Sequence, residues 1–410
     1  MISYEEAIKL ILDCDRLEIS SKPIKKTCNH VAAQTIISNV FVPPFNNSAM
    51  DGFAINSKDI AAATNDNPIE LKLMGSTVAG DLPSDGTVSE NSVGAWEIMT
   101  GAPVPQNYDS VVKIEDVSVN NGLVSFTKPV PIHNNIRDAG EDFKPDDIVL
   151  EKGTPISPMH IMALATIGQE NISVANRPRI SVFSTGKELV ENANTALKPG
   201  QIHNSNSPYI MAYLEEMNLS PTYGGIIHDE PALFERKVQA AIKDNDIIIS
   251  TGAVSMGKHD FIPDSLLKLG AKIIFHKSYI RPGKPILYAR FPNGVHYFGL
   301  PGNPVSAAVG LRFFVTPLLR HLQGLALETP IKAPLLAPSP KKQGFRFFLK
   351  AHFLIDAKGQ PQLEILKGQQ SFKIHPLLKA NCWASFSPNQ QGEIGELIEL
   401  YPLIANKWSL

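Results

Sequence analysis

The residues best suited to chemistry gather between Asp246 and Gly310. A β-branched run, Asp246-Ile-Ile-Ile-Ser250, has the character of a buried strand and ends on Thr251-Gly252. Beyond it, Gly252-Ala-Val-Ser-Met-Gly-Lys-His-Asp260 reads as a loop. A helix should follow, with Pro263 near its start and Gly270 after its end. Another strand, 272–276, runs into Lys277 and then Arg281-Pro-Gly-Lys-Pro285. Strands at 286–289 and 295–298 lead to Gly299-Leu-Pro-Gly-Asn-Pro-Val-Ser306, where Asn303 can cap a helix and Pro304 take its first turn. Exposed N–H groups at such corners favour anions, and Lys277, Arg281 and Lys284 add positive charge beside them. The expected site is an anion-binding crevice.

Carboxylates stand at matching places. Glu188 follows the Ser184-Thr-Gly186 corner, Asp229 a strand ending at Ile227, and Asp260 the strand ending at Ser250. They converge if those strands are neighbours in a parallel sheet, although each alone also serves as an acid favoured at a helix N-terminus. Carboxylates lining an anion site point to a divalent cation, since they otherwise repel a phosphate, and oxygen ligands favour Mg²⁺. Glu188, Asp229 and Asp260 are the candidate ligands. Gly252-x4-Gly257-Lys258 also matches a P-loop, except that His259 stands where Ser or Thr would hold Mg²⁺. A P-loop nucleotidase is therefore the weaker reading.

The elements that must position these residues follow from periodicity. Residues 179–322 alternate strands with helices, a doubly wound α/β pattern, and no G-x-G-x-x-G marks a nicotinamide or flavin site. From about 69 to 131 the pattern is strand-like, with Asn120-Asn-Gly122 as a hairpin turn, so a small β domain is inserted between Asp51 and Glu141. Asp51-Gly52 reads from residues alone as a turn, and so does Thr100-Gly101. Ser3-Tyr-Glu-Glu6 is a capping box opening an amphipathic helix. After a proline-rich linker the last eighty or so residues have β character.

At 410 residues the chain is long enough for several domains. A formal charge of −2 without a Lys/Arg cluster argues against a nucleic-acid surface. Cys14, Cys28 and Cys382 are scattered, which fits a reducing cytosol and suggests neither a disulfide framework nor a zinc site. No apolar run is long enough to span a bilayer and no basic leader precedes Glu5-Glu6, so a cytoplasmic protein without membrane contact is expected.

Taken together, Thr251–Asp260, Arg281–Pro285 and Gly299–Ser306 resemble the molybdopterin molybdenumtransferase (MoeA) family, related to the E domain of gephyrin. Asn47-Ser-Ala-Met-Asp-Gly52, Met99-Thr-Gly-Ala-Pro-Val-Pro105, Gly140-Glu-Asp142 and Ser184-Thr-Gly-Lys-Glu-Leu189 extend the resemblance in the family's order. The resemblance implies a multidomain α/β fold: a linking domain (1–42 and 141–176) whose N-terminal helix docks on the α/β domain, the inserted β domain (43–140), a doubly wound molybdopterin-binding domain (177–325) and a C-terminal β domain (330–410). It implies Mg²⁺-dependent insertion of molybdate into adenylylated molybdopterin with release of AMP, in a homodimer whose crevice is shared between copies. Asp51, Thr100, Asp142, Glu188, Asp229 and Asp260 take catalytic roles in that reading. Arg137, Ser250, Gly252, Lys277, Arg281, Lys284, Pro301, Gly302, Asn303 and Ser371 hold anions or substrate. A molybdopterin adenylyltransferase, molybdoenzymes and their chaperones are the implied partners. Lys187 replaces the family's usual Asp in the Ser184 corner, and the family's Arg-x-Asp/Glu-Phe-x-Arg-Gly pattern survives only as Phe345-Arg-Phe-Phe-Leu-Lys-Ala351. A pterin-binding scaffold or paralogue without metal insertion is the alternative.

Overall fold

The computed structural model describes residues 1–81, 93–252, 261–405 and 407. At its centre lies a six-stranded sheet in the order Thr222–Ile227, Ile180–Thr185, Ile247–Thr251, His296–Leu300, Leu287–Arg290, Lys272–His276. The first four strands are parallel, and the last two pair antiparallel. Ile180–Thr185 and Ile247–Thr251 are buried along their whole length, as β-branched runs covered on both faces must be. Asn206–Glu216 and the helix starting at Pro304 pack on one face, and Pro231–Asp244 and Ile262–Lys268 on the other.

This mixed topology matters for the basic residues. Lys272–His276 is antiparallel to a strand that is itself antiparallel to His296–Leu300. Two reversals restore the direction, so Lys277 emerges on the same side of the sheet as Thr185, Ile227, Thr251 and Leu300.

Ser3 caps the first helix, Tyr4–Leu12, with its Oγ accepting from Glu6 N at 3.0 Å. Ala7 and Ile11 enter the same core as Val309, Phe314 and Leu319, so this helix is bound to the α/β unit by apolar burial. Short pairings, Ile19–Pro23 with Asn171–Ala175 and Ile36–Ile37 with Ile148–Leu150, join the helix Pro158–Thr166 around a small separate core. The β-rich region orders its strands Ser110–Lys113, Gly52–Ile55, Ala95–Ile98, Ile69–Thr77, Leu123–Phe126, Val117–Asn120, again on its own cores. Asn121 and Gly122 both have positive φ, 49° and 76°, as a tight hairpin turn requires.

The C-terminal sheet runs Ile280–Arg281, Arg346–Ile355, Cys382–Phe386, Leu397–Pro402, Ile331–Pro334, with Pro361–Ile365 paired to Arg346–Ile355. Its edge strand comes from the basic loop of the α/β unit, and Phe348 and Trp383 share that unit's main core.

Candidate active site

Glycines at strand ends let four corners meet. Thr185 and Thr251 end adjacent strands, and Thr185 Oγ1 donates to Thr251 O at 2.9 Å. Gly186 N donates to Ile227 O, and Gly252 N to Leu300 O, each at 3.1 Å. Gly252 has φ +88°, and a Cβ there would lie 2.1 Å from Thr185 O. Residues with a side chain rarely adopt that backbone conformation, and only glycine allows that approach. Lys187 N lies 3.4 Å from Asp229 Oδ2, so Glu188 and Asp229 occupy neighbouring corners, and both are exposed. Asp260 lies outside the described residues, as do Lys258 and His259. Among the described residues no group of three His, Cys, Asp or Glu is placed to hold a metal.

Pro301, Gly302 and Asn303 form the fourth corner, with Pro301 buried and the other two exposed. Asn206 Nδ2 donates to Gly302 O at 2.9 Å. Asn303 occupies the cap position ahead of Pro304, but its side chain makes no capping bond. Ser250 departs from the sequence expectation. Its hydroxyl is fully buried against Tyr297 Oη at 2.5 Å, because its strand is covered on both faces.

The basic edge adjoins this corner. Lys277 has φ +98°, held by its N–H on Ile286 O at 2.8 Å and its carbonyl on Ile2 N at 3.3 Å. A Cβ on Gly283 would sit 3.3 Å from Ser306 O, so the loop carrying Arg281 and Lys284 lies against the helix that follows Asn303. Both basic side chains are exposed, and the Arg281 guanidinium stands 4.8 Å over the Phe345 ring. Ser371 enters through its backbone, its carbonyl accepting from Val305 N at 3.0 Å. Lys350 organises that segment: fully buried, it donates from Nζ to Gly368 O (2.8 Å), Gln370 O (3.3 Å) and Lys373 O (3.0 Å). Burial, with Lys373 nearby, lowers its pKa.

The remaining site residues form a second group. Asp51 Oδ1 accepts from Thr100 N at 2.7 Å and Thr100 Oγ1 at 2.8 Å. These bonds, the backbone one foremost, hold its carboxyl below the usual range. Ser48 accepts Gly101 N on its carbonyl at 2.8 Å, and a Cβ on Gly52 would meet Val112 O at 2.0 Å. Ile136–Arg137 pairs with Asn47–Ser48, which brings Arg137 beside this turn, and Asp142 N donates to Val42 O at 2.9 Å. Asp51, Thr100, Arg137 and Asp142 are all exposed. Their turn rests on the cores of the β-rich region, apart from the core beneath the crevice.

Asn204 and Asn206 escaped the sequence reading, and so did the structural role of Lys350. Asn204 Oδ1 accepts from Ser184 Oγ at 3.1 Å and links the first corner to the helix carrying Asn206. The signal was Asn204-Ser-Asn-Ser-Pro208, a polar cluster ahead of a proline. Lys350 stands where the Arg-x-Asp/Glu-Phe-x-Arg-Gly pattern has its second Arg, but its carbonyl partners gave no sign in the sequence.

The mixed-sheet unit that carries these corners is of a known class: residues 181–321 match the family model described as "Probable molybdopterin binding domain". Residues 2–168 match "MoeA N-terminal region (domain I and II)". The chain is 33% identical over 401 residues to the molybdopterin molybdenumtransferase of Synechococcus elongatus, covering 95% of this chain and 96% of that one. It is 32% identical to the Haemophilus influenzae protein of the same name, covering 92% of each. A molybdopterin biosynthesis MoeA protein from Pyrococcus horikoshii superposes with a TM-score of 0.82 at 26% identity, over 100% of both chains. The chain belongs to the molybdopterin molybdenumtransferases, enzymes of molybdenum cofactor biosynthesis. Among the described residues no helix is long and apolar enough to cross a membrane.

Proposed function

We propose that the chain inserts molybdate into adenylylated molybdopterin in a Mg²⁺-dependent reaction that cleaves the phosphoanhydride and releases AMP. The observation that carries this reading is the meeting of four strand-end corners, bearing Glu188, Asp229, Gly252 and Gly302-Asn303, beside the loop of Lys277, Arg281 and Lys284. Mg²⁺ takes oxygen ligands and is commonly held by one or two carboxylates together with substrate phosphates and water. Glu188 and Asp229, exposed on neighbouring corners, fit that demand, and the ion would offset charge on pyrophosphate oxygens. Arg281, Lys284 and Lys277 attract the oxyanions, and the Asn303 side chain, which makes no capping bond, orients them. Asp51 stays ionised and fixed in direction by Thr100, so it suits the placing of an attacking oxygen.

The two groups of residues stand on separate cores, and we propose that a second copy closes the site by presenting its Asp51 turn to the crevice of the first. In this reading a molybdopterin adenylyltransferase supplies the substrate, molybdoenzymes or their chaperones take the product, and the work is done in the cytoplasm. The test is AMP release from adenylylated molybdopterin with Mg²⁺, with and without molybdate. Molybdate-dependent release that Asp51→Ala abolishes supports the transferase. Binding of the pterin without AMP release by the unaltered protein contradicts it and favours a pterin-binding scaffold.

A further inference from the structure

A cleft of about 800 Å³ lies at the amino end of the central sheet, between the α/β unit and the small core around Pro158–Thr166. The strand Ile247–Thr251 separates it from the crevice by about 16 Å, at ~3.3 Å per residue. Both places where the chain passes between the α/β unit and residues 19–175 border this cleft. Leu17-Glu18 leads out and Asn176-Arg177 leads back, and Asn176 N donates to Glu18 O at 3.0 Å, so the two crossings touch.

The polar lining is lopsided. Arg179 pairs with Asp246 at 2.9 Å, which leaves the exposed Glu18 as the one other acid of the lining. Lys22 and Arg177 make no ion pair among the described residues. Arg177 donates to Asn29 O at 3.1 Å and reaches His30 Nδ1 at 3.3 Å. A guanidinium only donates, so Nδ1 accepts and the proton of the neutral ring sits on Nε2. Burial, with Arg177 and Lys22 close by, lowers the His30 pKa and favours that neutral form. Asn176 Oδ1 accepts from Ser20 Oγ at 2.8 Å, so its NH₂ group is left to donate. Four donor side chains, two of them unpaired cations, therefore border one cleft.

We infer that this joint holds a phosphate group, with Lys22 and Arg177 supplying the charge and His30 and Asn176 hydrogen bonds. Cations held close together without an acid repel one another, and a dianion removes that repulsion. The guanidinium fork matches phosphate oxygens, and the ammonium adds a compact point charge. The volume exceeds what one phosphate fills, so a phosphate monoester fits as well as the free ion. Lys22 belongs to the outgoing strand Ile19–Pro23, and Arg177 precedes the returning strand Ile180–Thr185. A bound phosphate thus ties the two crossings together and fixes the angle at which residues 19–175 leave the α/β unit.

Hydrogen-exchange mass spectrometry of the full-length protein tests this, with inorganic phosphate or ribose 5-phosphate against sodium chloride at equal ionic strength. Saturable slowing is expected in peptides covering residues 18–30 and 176–179. Lys22→Gln should raise the half-saturating concentration about tenfold or more, whereas Arg281→Gln in the crevice should leave it unchanged. Arg177→Gln, expected to act in the same way, keeps the test open should Lys22→Gln not fold. Ribose 5-phosphate acting at a tenfold lower concentration than phosphate identifies an organic monoester as the occupant, and equal potency identifies the free ion. No slowing with either probe, slowing confined to residues 277–285, or slowing at the joint that both substitutions leave unchanged overturns the assignment.

Discussion

The crevice and the Asp51 turn both offer carboxylates, but they hold them differently. Asp51 is fixed by two donors from one threonine, one of them a backbone N–H that a substitution at Thr100 leaves in place. Glu188 and Asp229 stand exposed, with Lys187 N–H the nearest donor to Asp229 at 3.4 Å. A carboxylate already bonded has little freedom left, which suits a group that must point at one reacting atom. Carboxylates left open can take an ion that arrives with its own water and phosphate ligands. The difference teaches that, if the proposed shared site is right, the Asp51 half is oriented in advance, whereas the crevice half waits for what binds there.

Several substitutions would break or sharpen that contrast, beginning with the largest effect. Gly252→Ala puts a methyl 2.1 Å from Thr185 O at φ +88°. It should cost at least about 3 kcal/mol in chemical denaturation and abolish anion binding in the crevice, with the Asp51 turn intact. A native-like midpoint would mean that the corners do not need this contact.

Lys350→Met comes next. Three carbonyls lose their charged donor, and the segment holding Ser371 against Val305 loosens. Thermal or denaturant melts should show a loss of about 1–3 kcal/mol, largely retained even in high salt because the group is buried. Substrate KM should rise more than kcat falls.

Thr100→Val probes the turn itself. Removing the hydroxyl leaves the backbone donor, so the Asp51 carboxyl should move only partway back towards its ordinary pKa. Turnover should drop about tenfold and be restored in Thr100→Ser, readable as a shift of the acid limb of the rate profile.

The smallest effect is expected at the far end of the same sheet. His296, at the amino end of its strand, is pushed down to about 4 by burial, with Arg290 adding to the shift. Its native pKa lies below the unfolded one, so the unfolded chain binds the extra proton between about pH 6.5 and pH 4. Stability from this residue is complete above that window and lost as pH falls through it. His296→Gln should flatten the acid side of the stability curve by on the order of 1 kcal/mol, without altering turnover at neutral pH.

The sequence revealed the corners because glycine at a strand end has a physical reason that survives without a structure. Gly252 sits where its backbone must approach Thr185 O, and Gly186 turns the chain at φ +146°. The hairpin at Asn121-Gly122 was legible for the same reason, since its positive φ values select those residues. Strand order was not legible. Nothing local to Ile180–Thr185 says that it lies between Thr222–Ile227 and Ile247–Thr251, and that placement is what makes Glu188 and Asp229 neighbours. Ser250 illustrates the opposite, a residue at the end of a β-branched run covered on both faces, where any side chain is buried. Lys350 was hidden because its partners are carbonyls of a segment some twenty residues further on, a pairing that no periodicity encodes.

The most direct test of a site assembled from two regions uses two inactive proteins. Asp51→Asn spoils the turn and Glu188→Gln spoils the crevice, and each alone should release no AMP from adenylylated molybdopterin. After co-refolding of the two, molybdate-dependent AMP release is expected to return, because a mixed pair holds one site with both an intact turn and an intact crevice. A mixture that stays silent, although both proteins fold and associate, would contradict a site shared between copies.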